Sequence, residues 1–182
     1  MPIGQLKDLV LTCPHNTPLL GLDLGTRTIG LSVCDPAQTL ATPLKTLKRT
    51  RFTEDMQTLH AHIKAYEIGG IILGYPLHMD GRKSPACDRT ESFAKEMHTY
   101  LTQNTTQKQN ENENNNEKQD WWIAFWDERL STSSAYTQAC ESANRALSLP
   151  HAKNKGHIDS LAARIILETG LDFIRTWRDQ QK

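Results

Sequence analysis

Four acidic residues stand at positions where carboxylates could do chemistry. Asp23 interrupts the aliphatic stretch LLGLDLG, which is typical of a buried strand. Asp127 and Glu128 end the apolar run WWIAFWDE, and Asp159 lies in HIDSLAARIIL at the start of an amphipathic segment. A buried carboxylate without a partner costs free energy. Each acid is therefore either neutralised by a neighbouring group or present to bind something cationic.

A divalent metal ion would remove this cost if the acids converge. Two or three carboxylates at one sheet edge repel one another, and a hard cation cancels that repulsion. Ligation by oxygen atoms alone selects Mg²⁺ or Mn²⁺. Paired metal ions held in this way suit in-line displacement at phosphorus, which indicates hydrolysis of phosphodiester bonds.

Each acid also has a structural interpretation. Asp159 falls in the first turn of the predicted last helix, where the helix dipole stabilises acids. Asp127 and Glu128 are followed by Arg129, so an exposed ion pair at the strand end is an alternative. Strand alternation places Asp127 and Glu128 on opposite faces, and the sequence does not decide which face carries the site. Asp23 is the hardest to explain structurally, because its neighbours are only Gly and Leu.

The elements that would position these acids alternate between strand and helix. Three strands are predicted first and form an antiparallel meander, with Pro43 placing the third at a sheet edge. The predicted strands are 19–24, 28–34, 39–47, 71–73 and 121–128, and the predicted helices are 52–66, 84–101, 131–147 and 158–170, the last ending at a glycine. This order predicts an α/β protein with a five-stranded mixed sheet flanked by helices, the order of the RNase H-like fold.

Length and composition indicate one domain with a leader and an insertion. We predict a flexible leader at 1–17, a nuclease domain at 18–175 and a low-complexity insertion at 103–119, which contains no apolar residue. The 21 basic residues balance the 21 acidic ones, so a nucleic-acid partner would require a local basic patch. The sequence contains no apolar run of membrane-span length, no convincing signal peptide and no metal or disulfide spacing among its four cysteines. We therefore expect a cytoplasmic protein.

Five sequence blocks together resemble the YqgF/RuvX family. In chain order from Leu19 to about Asp172 they are LLGLDLGTRTIGLSVCDP, ATPL, ILGYPLHMDGRKSP, WDERLST and HIDSLAARIIL. The family consists of Holliday-junction-resolvase-like proteins that are regarded as pre-16S rRNA nucleases. The resemblance implies an RNase H-like fold, divalent-metal dependence, cytoplasmic location and a role in trimming the 5′ end of the 16S rRNA precursor in the ribosomal precursor particle.

The resemblance also assigns roles to the acids by position. Asp23 matches the acid of the family's first strand, and Asp159 matches the acid of its last helix. The DER block supplies the second acid, which we assign to Glu128 with Asp127 as the fallback. The implied catalytic and metal-binding set is therefore Asp23, Glu128 and Asp159, with Mg²⁺ or Mn²⁺ as the cofactor.

Basic residues in loops beside the acids are candidates for contact with phosphate groups. They are Arg27, Arg82, Lys83, Arg129, Lys153 and Lys155. Any one of them alone is better explained as a solvated surface charge, but as a group around the acids they favour a polyanionic substrate. The segment GYPLHMDGRKSP contains turn residues, and we hypothesise that it forms a mobile flap over the site.

Three other functions fit part of the sequence. The DLGT hairpin is also the phosphate-binding entry of actin-like ATPases and sugar kinases, but those proteins need two such domains and this chain has room for one. A non-catalytic nucleic-acid-binding module would have no reason to keep all the acids. Resolution of four-way, branched DNA uses the same metal chemistry, so residue types do not separate it from RNA trimming. A symmetric junction cut requires a dimer, whereas the sequence shows no clear dimer interface and predicts a monomer or weak dimer.

Overall fold

The protein was analysed as a computed structural model that describes residues 3–106, 120–127, 129 and 155–181, with backbone only at 105, 106 and 155–157. The strands are β1 (Ile3–Gln5), β2 (Leu19–Leu24), β3 (Thr28–Cys34), β4 (Ala41–Lys48), β5 (Gly70–Tyr75) and β6 (Trp122–Asp127). The helices are α1 (Leu6–Leu9), α2 (Phe52–Ala65), α3 (Pro85–Thr106) and α4 (Lys155–Asp179), and a short 3₁₀ helix spans Val10–Thr12.

The strands form one mixed sheet in the order β1-β6-β5-β2-β3-β4. β2, β3 and β4 pair antiparallel as the predicted meander, while β1, β6, β5 and β2 pair in parallel. β4 lies at the edge, where Pro43 predicts it. Without β1, this is the strand order of the RNase H-like fold, so the predicted fold class is confirmed, with six strands among the described residues instead of five.

Helices cover both faces of the sheet, and strand alternation assigns each side chain to a face. Leu20 and Leu22 of β2 pack in the cluster that contains the apolar residues of α2 and α3. Leu19, one position away, packs in the cluster that contains those of α4. The face that carries α4 is therefore the face of the odd-numbered residues of β2, which include Asp23.

The N-terminal segment is packed, whereas the sequence predicts residues 1–17 to be a flexible leader. β1 pairs in parallel with β6, and Trp122 donates a hydrogen bond from Nε1 to the carbonyl of Leu9 at 3.3 Å. Leu6, Val10 and Cys13 are buried in the same cluster as the apolar residues of α4. The physical reason is that these three side chains cover apolar surface of β6 and α4 that would otherwise face water.

Two other sequence expectations differ from the structure at helix ends. α4 continues to Asp179 and does not end at Gly170. Glycine at this position lets the helix pass close to β5, since a Cβ atom there would lie 3.2 Å from Ile72. α3 extends to Thr106, into the predicted insertion at 103–119. The rest of that insertion and the predicted helix at 131–147 lie outside the described residues. No helix in the described part of the chain combines the length and apolarity needed to cross a membrane.

We predict that Leu6→Ala lowers the free energy of unfolding by about 2–5 kcal/mol, as is usual when a buried leucine is truncated. The Leu6 side chain is 1% exposed and lies beside Gly170 of α4. Leu11 is the matched control, because it is 74% exposed and Leu11→Ala should change stability by no more than about 0.5 kcal/mol. Urea denaturation of both variants measures the difference, and equal midpoints would show that the N-terminal segment does not pack in solution.

Candidate metal centre

Asp23 lies in β2 directly opposite Gly30 of β3. Both positions face α4, and the backbone of that helix comes unusually close to Gly30. A Cβ atom on Gly30 would lie 1.9 Å from the carbonyl oxygen of Asp159, which no side chain could tolerate. Glycine at this position therefore lets the start of α4 rest on the sheet beside Asp23.

A second close contact fixes α4 two residues further along the hairpin. Ser32 is fully buried and donates a hydrogen bond from Oγ to the carbonyl oxygen of Ala163 at 2.8 Å. Its strand partner is Gly21, where an added Cβ would lie 2.9 Å from the same carbonyl. Small residues on β2 and β3 thus set the height of α4 over the sheet, and with it the position of Asp159.

The surroundings of Asp23 destabilise the ionised form of its carboxylate. Burial and, to a smaller extent, the negative charge of Asp159 together raise the pKa of Asp23 to about 6. Both causes disfavour the ionised carboxylate. A cation placed between the two acids would oppose both effects. It would neutralise the repulsion between the carboxylates and stabilise the ionised form in place of the water that burial removes.

The position of Asp159 bears on its structural interpretation. α4 begins at Lys155, three residues before the predicted start, and its first turn contains no acidic residue. Asp159 therefore lies in the second turn, and the stabilisation of acids by the helix dipole falls off within the first. The helix dipole therefore explains an acid at this position less well than the proximity of Asp159 to Asp23 does.

Asp127, the fallback for the second acid, is not brought together with Asp23 and Asp159. Trp126 packs in the α4-side cluster, so alternation places Asp127 on the face covered by α2 and α3. Its carboxylate accepts hydrogen bonds from Nε and Nη2 of Arg129, the shortest at 2.6 Å. Burial by itself raises the pKa of Asp127, but the hydrogen bonds from Arg129 outweigh it and hold the pKa below its ordinary value.

The third predicted metal ligand, Glu128, lies outside the described residues, as do Lys153 and the side chain of Lys155. Within the described ranges, no three His, Cys, Asp or Glu side chains gather in an arrangement that could hold a metal ion. Asp23 and Asp159 would thus supply two carboxylate ligands, a donor set of hard oxygen atoms that fits Mg²⁺ or Mn²⁺.

The candidate phosphate-binding residues that the structure describes are mostly engaged with acids. Arg82 pairs with Asp80 at 2.6 Å, and Lys83 pairs with Glu91 at 2.6 Å. Both basic side chains remain well exposed, so the pairs are weak enough to exchange for phosphate contacts. Arg27 is exposed in the turn between β2 and β3.

Sequence reasoning missed Arg49, which stabilises the turn that follows Asp23. It donates a hydrogen bond from Nη1 to the carbonyl oxygen of Gly25 at 3.0 Å, and its guanidinium lies 5.7 Å from the centre of the Phe93 ring. Its Nε also lies 3.9 Å from the buried carboxylate of Asp55. A lone arginine after an edge strand gives no sequence signal for these contacts, because they depend on how α2 and α3 pack.

Comparison with known proteins decides the family. The family model described as "RuvX: Holliday junction resolvase" matches residues 17–173. This chain belongs to the RuvX family. The resemblance of the five sequence blocks is thereby confirmed, and the matched range contains the β2–β3 hairpin and the start of α4.

Relatives within the RuvX family match almost the whole chain. A protein of Paramagnetospirillum magneticum is 37% identical over 172 residues, which cover 94% of this chain and 96% of the relative. A protein of Rhodospirillum rubrum is 35% identical over 181 residues, which cover 100% and 99% of the two chains. Both relatives are named "Putative pre-16S rRNA nuclease".

Similar solved structures are more distant. RuvC of T. thermophilus in complex with a Holliday junction substrate matches with a TM-score of 0.47 and 12% identity, over 88% of this chain and 97% of that chain. The yeast mitochondrial Holliday junction resolvase matches with a TM-score of 0.47 and 11% identity, over 97% and 91% of the two chains.

Proposed function

We propose that this protein is a divalent-metal-dependent nuclease that hydrolyses phosphodiester bonds in the 5′ leader of the 16S rRNA precursor. The observation that supports the site is the proximity of Asp23 and Asp159. It arises because α4 packs against Gly30 and so brings Asp159 beside the partly buried Asp23. Membership of the RuvX family and the names of the relatives support the reaction and the substrate.

In this proposal the chain contributes three oxygen ligands and the means to orient them. Asp23 is fixed by the β2–β3 ladder, Asp159 by the contact of α4 with Gly30, and Glu128 completes the set from the segment after β6. A divalent cation bound there would activate the attacking water and stabilise the leaving oxygen of an in-line displacement. We leave Asp127 out of the proposed set, because strand alternation assigns it to the face covered by α2 and α3.

We propose that binding of the RNA uses few phosphate contacts. The chain has no net charge, and two of the described basic candidates, Arg82 and Lys83, lie in a loop and pair with acids. A junction resolvase must hold long duplex arms and normally acts as a symmetric dimer, which requires an extended positive surface. A trimming nuclease that acts in the cytoplasm as a monomer or weak dimer needs to hold only a few nucleotides.

Branched DNA remains the alternative substrate, because the matched family model is described as a Holliday junction resolvase. Side-by-side cleavage of the 16S rRNA leader and of a four-way DNA junction, each with Mg²⁺ and with Mn²⁺, distinguishes the two. We expect cleavage of the leader and a shallow salt dependence of binding, equivalent to roughly two to four phosphate contacts. A stable dimer that cuts junctions at paired positions and leaves the RNA intact would reverse the assignment.

A further inference from the structure

All three nitrogens of the Arg129 guanidinium donate hydrogen bonds. Nε donates to both carboxylate oxygens of Asp127, at 3.0 and 3.1 Å, and Nη2 donates to Oδ2 at 2.6 Å. Nη1 points the other way and donates to the carbonyl oxygens of His78 and Met79, at 3.4 and 3.3 Å. These carbonyls belong to residues 76–84, which connect β5 to α3 and are called the β5–α3 loop below.

The β5–α3 loop has a defined internal structure that fits this contact. The amide of Gly81 donates to the carbonyl of His78 at 2.8 Å, and the amide of His78 donates to the carbonyl of Arg82 at 3.0 Å. Gly81 has a φ of +85°, and a Cβ atom there would lie 3.3 Å from Nη1 of Arg129. The loop therefore turns tightly around the arginine, and glycine permits both the turn and the close approach.

We infer that Arg129 is a positioning residue that fastens the β5–α3 loop to the end of β6, and that Asp127 orients it. This differs from the phosphate contact that the sequence suggests for Arg129 and from the fallback metal ligand that it suggests for Asp127. The part of the inference that concerns catalysis rests on the proposed function. The hydrogen bonds that join Asp127, Arg129 and the loop are called the clasp below. In the proposed function, the clasp sets how far Arg82 and Lys83 of the loop lie from the end of β6, the strand that precedes Glu128.

The geometry of the clasp requires arginine. A planar guanidinium bonds a carboxylate through two nitrogens and has a third for the loop carbonyls, whereas a lysine ammonium presents a single point charge. Arg129→Lys therefore keeps the charge and loses the bridge. Asp127→Asn keeps the shape of the partner and weakens the bond that orients the arginine.

The test compares Arg129→Lys, Arg129→Ala and Asp127→Asn with the wild type by amide hydrogen exchange of residues 77–83 and by nuclease kinetics. We expect all three variants to exchange the loop amides at least about tenfold faster, since each loses a hydrogen bond to a charged group. We expect kcat on the RNA leader to fall by about tenfold to a hundredfold, because small misplacement of binding groups has effects of that size. The slope of log affinity against log salt should stay unchanged.

Arg175→Ala is the matched control, because Arg175 pairs with Asp172 of the same helix, α4, and both side chains are exposed. It should leave loop exchange and kinetics unchanged. A direct phosphate contact would instead lower the salt slope by about one in Arg129→Ala, while Arg129→Lys and Asp127→Asn bind as well as the wild type or better. That result, or unchanged loop exchange in all three variants, would overturn the inference. Loop exchange is measured without substrate, so it tests the clasp even if the RNA is not cleaved.

Discussion

Asp23→Asn is expected to lower the cleavage rate by more than about a hundredfold, because loss of even an outer partner of a metal ligand costs 10- to 100-fold. Asparagine occupies nearly the same volume in β2 but carries no charge with which to hold a cation beside Asp159. Cleavage of the 16S rRNA leader by the purified variant, with Mg²⁺ and with Mn²⁺, measures the loss. Asp8→Asn is the control, because Asp8 is an exposed acid of the short helix α1.

The same substitution is expected to stabilise the protein when metal is removed with EDTA. The pKa of Asp23 is raised in the folded state to about 6 from 3.8, so the folded protein binds this proton more tightly than the unfolded chain does. The resulting penalty is absent below about pH 4, grows as the pH rises to about 6 and is constant above that. Two pKa units correspond to roughly 3 kcal/mol at most, or about 6–12 °C in Tm for a chain of this size.

Activity and stability must change in opposite directions for this explanation to hold. Full cleavage by Asp23→Asn, or undiminished wild-type cleavage in EDTA, would show that Asp23 holds no catalytic metal. A fall in Tm at pH 7 in EDTA would show that the carboxylate makes a favourable contact in the folded state. Wild-type protein should gain stability from added Mg²⁺ or Mn²⁺, and Asp23→Asn should not.

Gly30→Ala is expected to destabilise the fold by about 3 kcal/mol or more, at the upper end of the usual cost of overpacking. The new methyl group would meet the backbone of α4 at Asp159, with the carbonyl oxygen 1.9 Å and the carbonyl carbon 2.4 Å away. Backbone atoms in a helix cannot move aside singly, so the first turns of α4 must lift from the sheet. Cleavage should fall with the stability, because Asp159 moves away from Asp23.

Gly4→Ala is the matched control for this substitution. A Cβ at Gly4 would lie 3.6 Å from the side chain of Leu9, which is an ordinary contact. It should change Tm and activity little. If Gly30→Ala unfolds at the same temperature as the wild type and remains active, then α4 does not rest on the β2–β3 hairpin in solution.

Local sequence patterns were sufficient to predict the central strands. β2 and β3 occupy the predicted residues, because the aliphatic runs and the Gly-Thr-Arg turn signal act over only a few positions. Asp23 could be singled out for the same reason, since a charge within an aliphatic strand is visible without any tertiary information. The edge position of β4 followed from Pro43, which cannot donate to a second neighbour.

Features that depend on contacts distant in the sequence were not predicted. The N-terminal segment packs because α4 and β6 leave apolar surface for Leu6 to cover, and neither partner is near it in the chain. Gly170 looked like a helix end, but it is the point where α4 crosses β5 at Ile72. Likewise, the assignment of Asp127 to the face opposite Asp23 required the packing of Trp126 against α4, which strand alternation alone does not reveal.

Calorimetric titration of Mn²⁺ into the wild type, Asp23→Asn and Asp159→Asn tests most directly whether Asp23 and Asp159 hold one metal site together. We expect saturable binding by the wild-type protein and an affinity at least about tenfold lower in each variant, since removing a metal ligand costs at least as much as removing its outer partner. All three proteins should show the same far-ultraviolet circular dichroism. Equal Mn²⁺ affinity in the three proteins, or no saturable binding by the wild type, would contradict the assignment of these two acids to a metal centre.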